Sequence, residues 1–125
     1  RIPHERVREI YAVADLLVYP RVATRTTELT TPLKTLAAMA MGKAVLASNL
    51  KPLRELVSDG ETGILFSAGN PAALADGAVA LLGNTDLRIR LGLQARDWVS
   101  QQRRWEDSVA GYSEVYEQVL GTRHA

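Results

Sequence analysis

Apolar residues fall along this chain in two alternating rhythms. Short continuous runs occur at Leu16-Leu17-Val18-Tyr19, at Ala44 to Ala47 and at Ile64-Leu65-Phe66. Runs of this length and composition read as strands of a parallel sheet covered on both faces. Between them the spacing changes to three and four. Val7, Ile10, Tyr11 and Ala14 mark one face of a first helix that opens near Pro3, and Leu33, Leu36, Ala37 and Ala40 mark one face of a second. A third helix is expected from about Pro52 to Val57, closed by the turn residues Asp59-Gly60 and Thr62-Gly63. Asn70-Pro71 caps a fourth that runs to about Leu82, and Asp86 starts a fifth, rich in Arg and Leu. Trp105, Val109, Tyr112, Tyr116, Val119 and Leu120 recur at steps of four and three along a last helix. A stripe of that kind is ordinarily core.

Strands alternating with helices imply right-handed crossovers, so the predicted fold class is α/β, with about three parallel strands, flanking helices and a helical C-terminal end in a partial Rossmann-like domain. No repeat, linker or low-complexity tract divides the chain, and residues 1–125 are read as a single unit. It opens directly into a helix, without a visible leader or spanning segment.

Composition narrows the function classes. With 125 residues, 46% hydrophobic content and net charge +1, the chain fits one ordinary soluble domain. Lys and Arg are interspersed with almost as many Asp and Glu. No basic stripe with interleaved aromatics appears, so neither nucleic acid nor a membrane surface is expected as a partner. The absence of cysteine excludes disulfides and thiolate sites and fits a reducing, cytoplasmic setting.

The chemistry concentrates between Thr27 and Ser48. Thr31 can cap a helix whose first residue is Pro32, leaving the first-turn N–H groups and the helix dipole to favour a phosphate above Thr30 to Leu33, with Glu28 beside it. Each of these residues also has an ordinary reading. Glu28 can be a solvated loop carboxylate, Thr30, Thr31 and Pro32 a simple cap, and Lys34 a surface side chain. Lys43 is expected to end its helix electrostatically, Arg21 and Arg25 to be solvated in the loop before Glu28, and Glu55 to pair with a neighbour. His4 and His124 lie near opposite termini without carboxylates or thiols at ligand spacing, so no metal site is expected. Ser48 lacks the flanking glycines of a nucleophile elbow.

Several segments in order carry a resemblance. Tyr11-Ala12-Val13-Ala14-Asp15 leads into a strand ending at Pro20. Leu36-Ala37-Ala38-Met39-Ala40-Met41-Gly42-Lys43-Ala44-Val45 follows, then Arg54-Glu55-Leu56-Val57-Ser58-Asp59-Gly60-Glu61-Thr62-Gly63, then Trp105 with Tyr112 and Tyr116. From Tyr11 to Tyr116 the chain resembles the second half of the nucleotide-binding C-terminal domain of retaining GT-B glycosyltransferases, the large nucleotide-sugar-dependent group 1 family. The Thr27 to Lys34 wording is similar to a subgroup that assembles exopolysaccharide or related surface glycans.

The resemblance implies transfer of a sugar from a nucleotide diphosphate sugar to a glycan or lipid-linked acceptor, with retention and no obligatory metal or other cofactor. It implies that Glu28 contacts the donor sugar and that Leu29, Thr30, Thr31, Pro32, Leu33 and Lys34 line the donor site. In the family a second glutamate binds the ribose; its place is taken by Ala37, whose methyl group accepts no hydrogen bond. Two glycines expected after the next strand are replaced by Lys51 and Pro52, which hinders close approach to a sugar. The whole family domain has about twice as many strands and follows an acceptor-binding domain. The chain is therefore expected to be an incomplete piece, inactive alone, with an unpaired edge at Leu16 to Tyr19 that missing segments or a second copy in a homodimer would cover. A nucleotide or anion binder without transfer activity, or an oligomerising interaction module, is the alternative.

Overall fold

The computed structural model describes residues 2–121. Its centre is a three-stranded parallel sheet in the order β1-β2-β3. The strands are β1 (Leu17–Tyr19), β2 (Val45–Ser48) and β3 (Ile64–Phe66), with Leu17 opposite Val45 and Leu46 opposite Ile64. All of β2 is buried, as a central strand covered on both faces requires. A 3-10 turn at His4–Arg6 leads into α1 (Val7–Val13) ahead of β1. Helices α2 (Arg25–Leu29) and α3 (Leu33–Ala40) connect β1 to β2, and α4 (Lys51–Arg54) connects β2 to β3. Then come α5 (Pro71–Leu82), α6 (Thr85–Gln102) and α7 (Trp105–Gly121).

Alternate residues of β2 feed two core layers. Val45 and Ala47 pack with Ala38 and Met39 of α3, with Leu50, Leu53, Leu56 and Val57, and with Ala95 of α6. On the other side Leu46 packs with Phe66, with Leu81 of α5 and with Leu91 of α6. Helix α6 thus contributes to both layers. It approaches the end of α3 closely because Gly92 carries no side chain. A methyl carbon on Gly92 would overlap the Gly42 carbonyl oxygen and stand 2.8 Å from the Gly42 carbonyl carbon. Gly42 itself has φ 69°, a left-handed conformation that turns the chain from α3 into β2.

The structure corrects several boundaries and one face. The buried stripe of α3 is Thr35, Ala38 and Met39, whereas Leu33 is 71% exposed and Ala37 and Ala40 face solvent. Both stripes satisfy a helical repeat; Ala38 and Met39 sit in the core cluster, and Leu36 of the expected face packs half-buried against it. Helix α4 ends at Arg54 rather than near Val57, and α6 begins at Thr85, capped by Asn84, rather than at Asp86. Lys43 does not end its own helix; its Nζ donates to the carbonyls of Ala12 (2.8 Å) and Ala14 (3.1 Å), at the C-terminus of α1. The stripe on α7 is not core: none of its residues is buried, and Trp105 is 78% exposed.

These contacts make two predictions. Gly92→Ala gains about 1 kcal/mol of helix propensity but must displace backbone, so a net loss of about 2–3 kcal/mol is expected in denaturant unfolding. Gly111→Ala on α7 has nothing within 4 Å of the new methyl and is the control, expected to be neutral or stabilising. Among the described residues the Thr35 hydroxyl is buried without a hydrogen-bond partner. Thr35→Val, of nearly the same shape, is therefore expected to raise stability by about 1 kcal/mol; a lower melting temperature would show that the hydroxyl has a partner.

Candidate ligand-binding site

The carboxyl ends of parallel strands are where an open α/β sheet offers a ligand its crevice. Here that edge is formed by Pro20 after β1, Asn49 after β2 and Ser67 after β3. The segment after β1 is helical rather than a plain loop. Thr24 and Thr27 form a capping box: the Thr24 hydroxyl oxygen accepts from the Thr27 N–H at 3.1 Å, and that of Thr27 from the Thr24 N–H at 2.8 Å. Arg25 and Glu28 consequently stand on α2. Both are exposed, and among the described residues the Glu28 carboxylate has no hydrogen bond or ion pair. Leu29 is also exposed, and the Thr30 hydroxyl donates back to the Thr26 carbonyl at 2.7 Å.

Helix α3 starts one residue later than the sequence suggests. Its N-cap is Pro32, not Thr31, and no side chain among the described residues caps it. Pro32 has φ −84° and ψ 86°, outside the helical region, and it is buried while Thr31 is exposed. The Thr35 N–H bonds the Pro32 carbonyl at 3.1 Å, which leaves the amides of Leu33 and Lys34 without a side-chain acceptor among the described residues. The two long helices that follow are closed differently. Asn70 accepts from Ala73 N–H and Asn84 from Leu87 N–H, each at 3.0 Å. The first turn of α3 is thus open to an anion, with the Lys34 side chain exposed in that same turn.

Tyr19, which the sequence reading passed over, holds this turn from below. Its hydroxyl donates to the Lys34 carbonyl at 2.9 Å. Burial raises the Tyr19 hydroxyl pKa above its ordinary value, with Tyr11 adding to the rise, so it stays protonated and a donor. The only hint in the sequence is a tyrosine closing an otherwise aliphatic strand. The turn after β2 is braced as well: Arg54 donates to the Asn49 carbonyl at 3.2 Å and side-chain oxygen at 3.0 Å, and Ser48 donates to the Tyr19 carbonyl at 3.2 Å.

Ala37 lines a cleft of ≈ 500 Å³ between α3 and the N-terminal helix, together with Tyr11, Ala40 and Met41 and with the polar side chains of His4, Glu5 and Arg8. Of the remaining candidates, Glu55 has no ion-pair partner among the described residues, contrary to expectation, and Arg21 is half-buried beside the turn after β1. His124 lies outside the described residues. Among the described residues, no three His, Cys, Asp or Glu side chains cluster as metal ligands would, and no helix is long and apolar enough to cross a membrane.

Comparison with known proteins gives this arrangement its lineage. The model of the family described as glycosyl transferases group 1 matches residues 1–84. The D-inositol 3-phosphate glycosyltransferase of Nocardia farcinica is 33% identical over 122 residues, covering 98% of this chain and 26% of that protein. A sucrose-phosphate synthase from Thermosynechococcus elongatus superposes with a TM-score of 0.84 at 27% identity, over 98% of this chain and 29% of that one. HepE of Anabaena, solved in complex with UDP, shares the fold with a TM-score of 0.75 at 22% identity, over 92% of this chain and 30% of its own. The chain spans between 22% and 29% of the length of the first curated relatives it matches. It belongs to the group 1 glycosyltransferase family and has the fold of part of a GT-B C-terminal domain.

Proposed function

We propose that this chain is the donor-binding portion of a glycosyltransferase that moves a sugar from a nucleotide diphosphate sugar to a glycan or lipid-linked acceptor, with retention and without a required metal or other cofactor. The observation that carries the reading is the first turn of α3, uncapped by any side chain at the carboxyl edge of a parallel sheet, in a chain of this family. In this reading the diphosphate lies over Thr30, Thr31, Pro32, Leu33 and Lys34, and Glu28 and Leu29 face the sugar. The nucleoside enters the cleft beside Ala37. The bound UDP of HepE is consistent with such a ligand. The setting is cytoplasmic polysaccharide or surface-glycan assembly, and residues 1–125 are one incomplete domain. Catalysis then requires the rest of a two-domain enzyme, or a second copy, to close the cleft and exclude water.

Ala37 supports a second reading. Its methyl group lines the cleft where the family places a ribose-binding carboxylate, so a nucleotide or anion binder without transfer activity, or an oligomerising module, is the alternative.

Calorimetry with a panel of nucleoside diphosphates and their sugars separates these. The donor-binding reading expects saturable binding, tighter for the sugar nucleotide than for the bare nucleotide, and no binding by a folded chain would remove it. Ala37→Glu, an exposed substitution, is expected to tighten nucleoside diphosphate binding roughly tenfold by restoring a charged acceptor; unchanged affinity would place the nucleoside elsewhere. Glu28→Gln should lower affinity for the sugar nucleotide about fivefold and leave the bare nucleotide and the melting temperature unaltered. Equal losses for both ligands would remove Glu28 from the sugar site.

A further inference from the structure

The geometry points to Tyr19 as a positioning residue that fixes the ligand-binding turn of α3 through the Lys34 carbonyl. This rests on the proposed function for its ligand, while the tether itself can be tested without one.

An anion site made of backbone N–H groups depends on those groups being held in place before the ligand arrives. The first turn of α3 lacks the usual means. Its N-cap contributes no side-chain hydrogen bond, the Thr30 hydroxyl is committed to Thr26, and the Thr35 hydroxyl is buried without a partner. Among the described residues, the side-chain bond that joins this turn to the sheet is that from the Tyr19 hydroxyl, 15 residues earlier in the chain, at 2.9 Å. It joins the last residue of β1 to the second residue of α3. Tyr19 is in turn held by its strand: it pairs with Ala47, its carbonyl accepts from Ser48, and its ring packs against the buried cluster that includes Met39. The rigid sheet is thereby connected to a turn that has no cap of its own. The Lys34 carbonyl has two lone pairs, so it accepts from Tyr19 without giving up its intrahelical bond. Tyr19 does not touch the ligand in this arrangement; it acts through the Lys34 backbone.

Tyr19→Phe keeps the ring and removes the tether. In the ligand-free chain, amide hydrogen exchange across residues 33–40 is expected to rise about three- to tenfold, with exchange in α5 and α6 unchanged. Nucleoside diphosphate affinity, measured by calorimetry with UDP and GDP, should fall by a similar factor. Unchanged exchange at residues 33–40 would overturn the assignment, and so would a rise spread evenly over every helix, because that marks a general stability role. Faster exchange with unaltered affinity would also overturn it, since the turn would then be held for no ligand. If wild-type protein binds neither nucleotide, the proposed function fails, and the exchange data still decide whether Tyr19 fixes the turn.

Discussion

The close approach of Gly92 to the carbonyl of Gly42 is the contact on which the arrangement turns. Gly42 ends α3 in a left-handed conformation and sends the chain directly into β2. Gly92 lets α6 come down onto that turn, so that Leu91 and Ala95 reach the two core layers on opposite sides of the sheet. A larger residue at Gly92 would hold α6 away from the end of α3 and open both layers together, whereas Gly42 is held to glycine by its left-handed backbone. A helix interior glycine costs about 1 kcal/mol relative to alanine, and the burial of residues such as Leu91 offsets it, since a fully buried leucine contributes roughly 1.5–3 kcal/mol. The same contact fixes the far end of α3. With one end set against α6 and the other joined to β1 through Tyr19, the open first turn has a defined place at the sheet's carboxyl edge.

Elsewhere the chain leaves apolar surface uncovered. β1 is an edge strand whose Val18 is 37% exposed, and Val13 before it is 82% exposed. Helix α7 carries an exposed row of Trp105, Tyr112 and Tyr116, with Val109, Val119 and Leu120 alongside. Under the proposed function these are the surfaces on which the rest of a two-domain enzyme, or a second copy, would pack. They lie on the edge strand and the last helix.

The candidate site combines an open helix start with a cleft whose wall is a methyl group. The two features pull in different directions. Unsatisfied N–H groups attract a phosphate, whereas Ala37 contributes no acceptor to a sugar or ribose hydroxyl. Under the proposed function, binding energy is therefore concentrated on the diphosphate. The turn after β2 adds little, because Leu50 and Pro52 are buried there and only Asn49 and Lys51 face outward.

Much of this was legible along the chain, for local reasons. Continuous apolar runs marked all three strands within a residue, because strands of a parallel sheet covered by helices are built mainly of apolar residues. Asn70-Pro71 marked the start of α5, because an asparagine cap and a first-turn proline act within one turn of chain. The row of motifs also identified the family, since it reflects residue types in order and not their contacts. The rotation of α3 was not legible: two stripes, one with Leu33 and Leu36 and one with Met39, fit the same repeat, and only packing against β2 and α6 chose Thr35, Ala38 and Met39. Nor was the role of Tyr19 or Lys43, whose hydrogen bonds join residues 15 and about 30 positions apart. The sequence by itself determined which segments are strands and helices, because those depend on neighbours within a few residues. The tertiary structure alone decided which face of each helix is buried and which backbone groups remain open to a ligand, because both depend on what the fold brings against them.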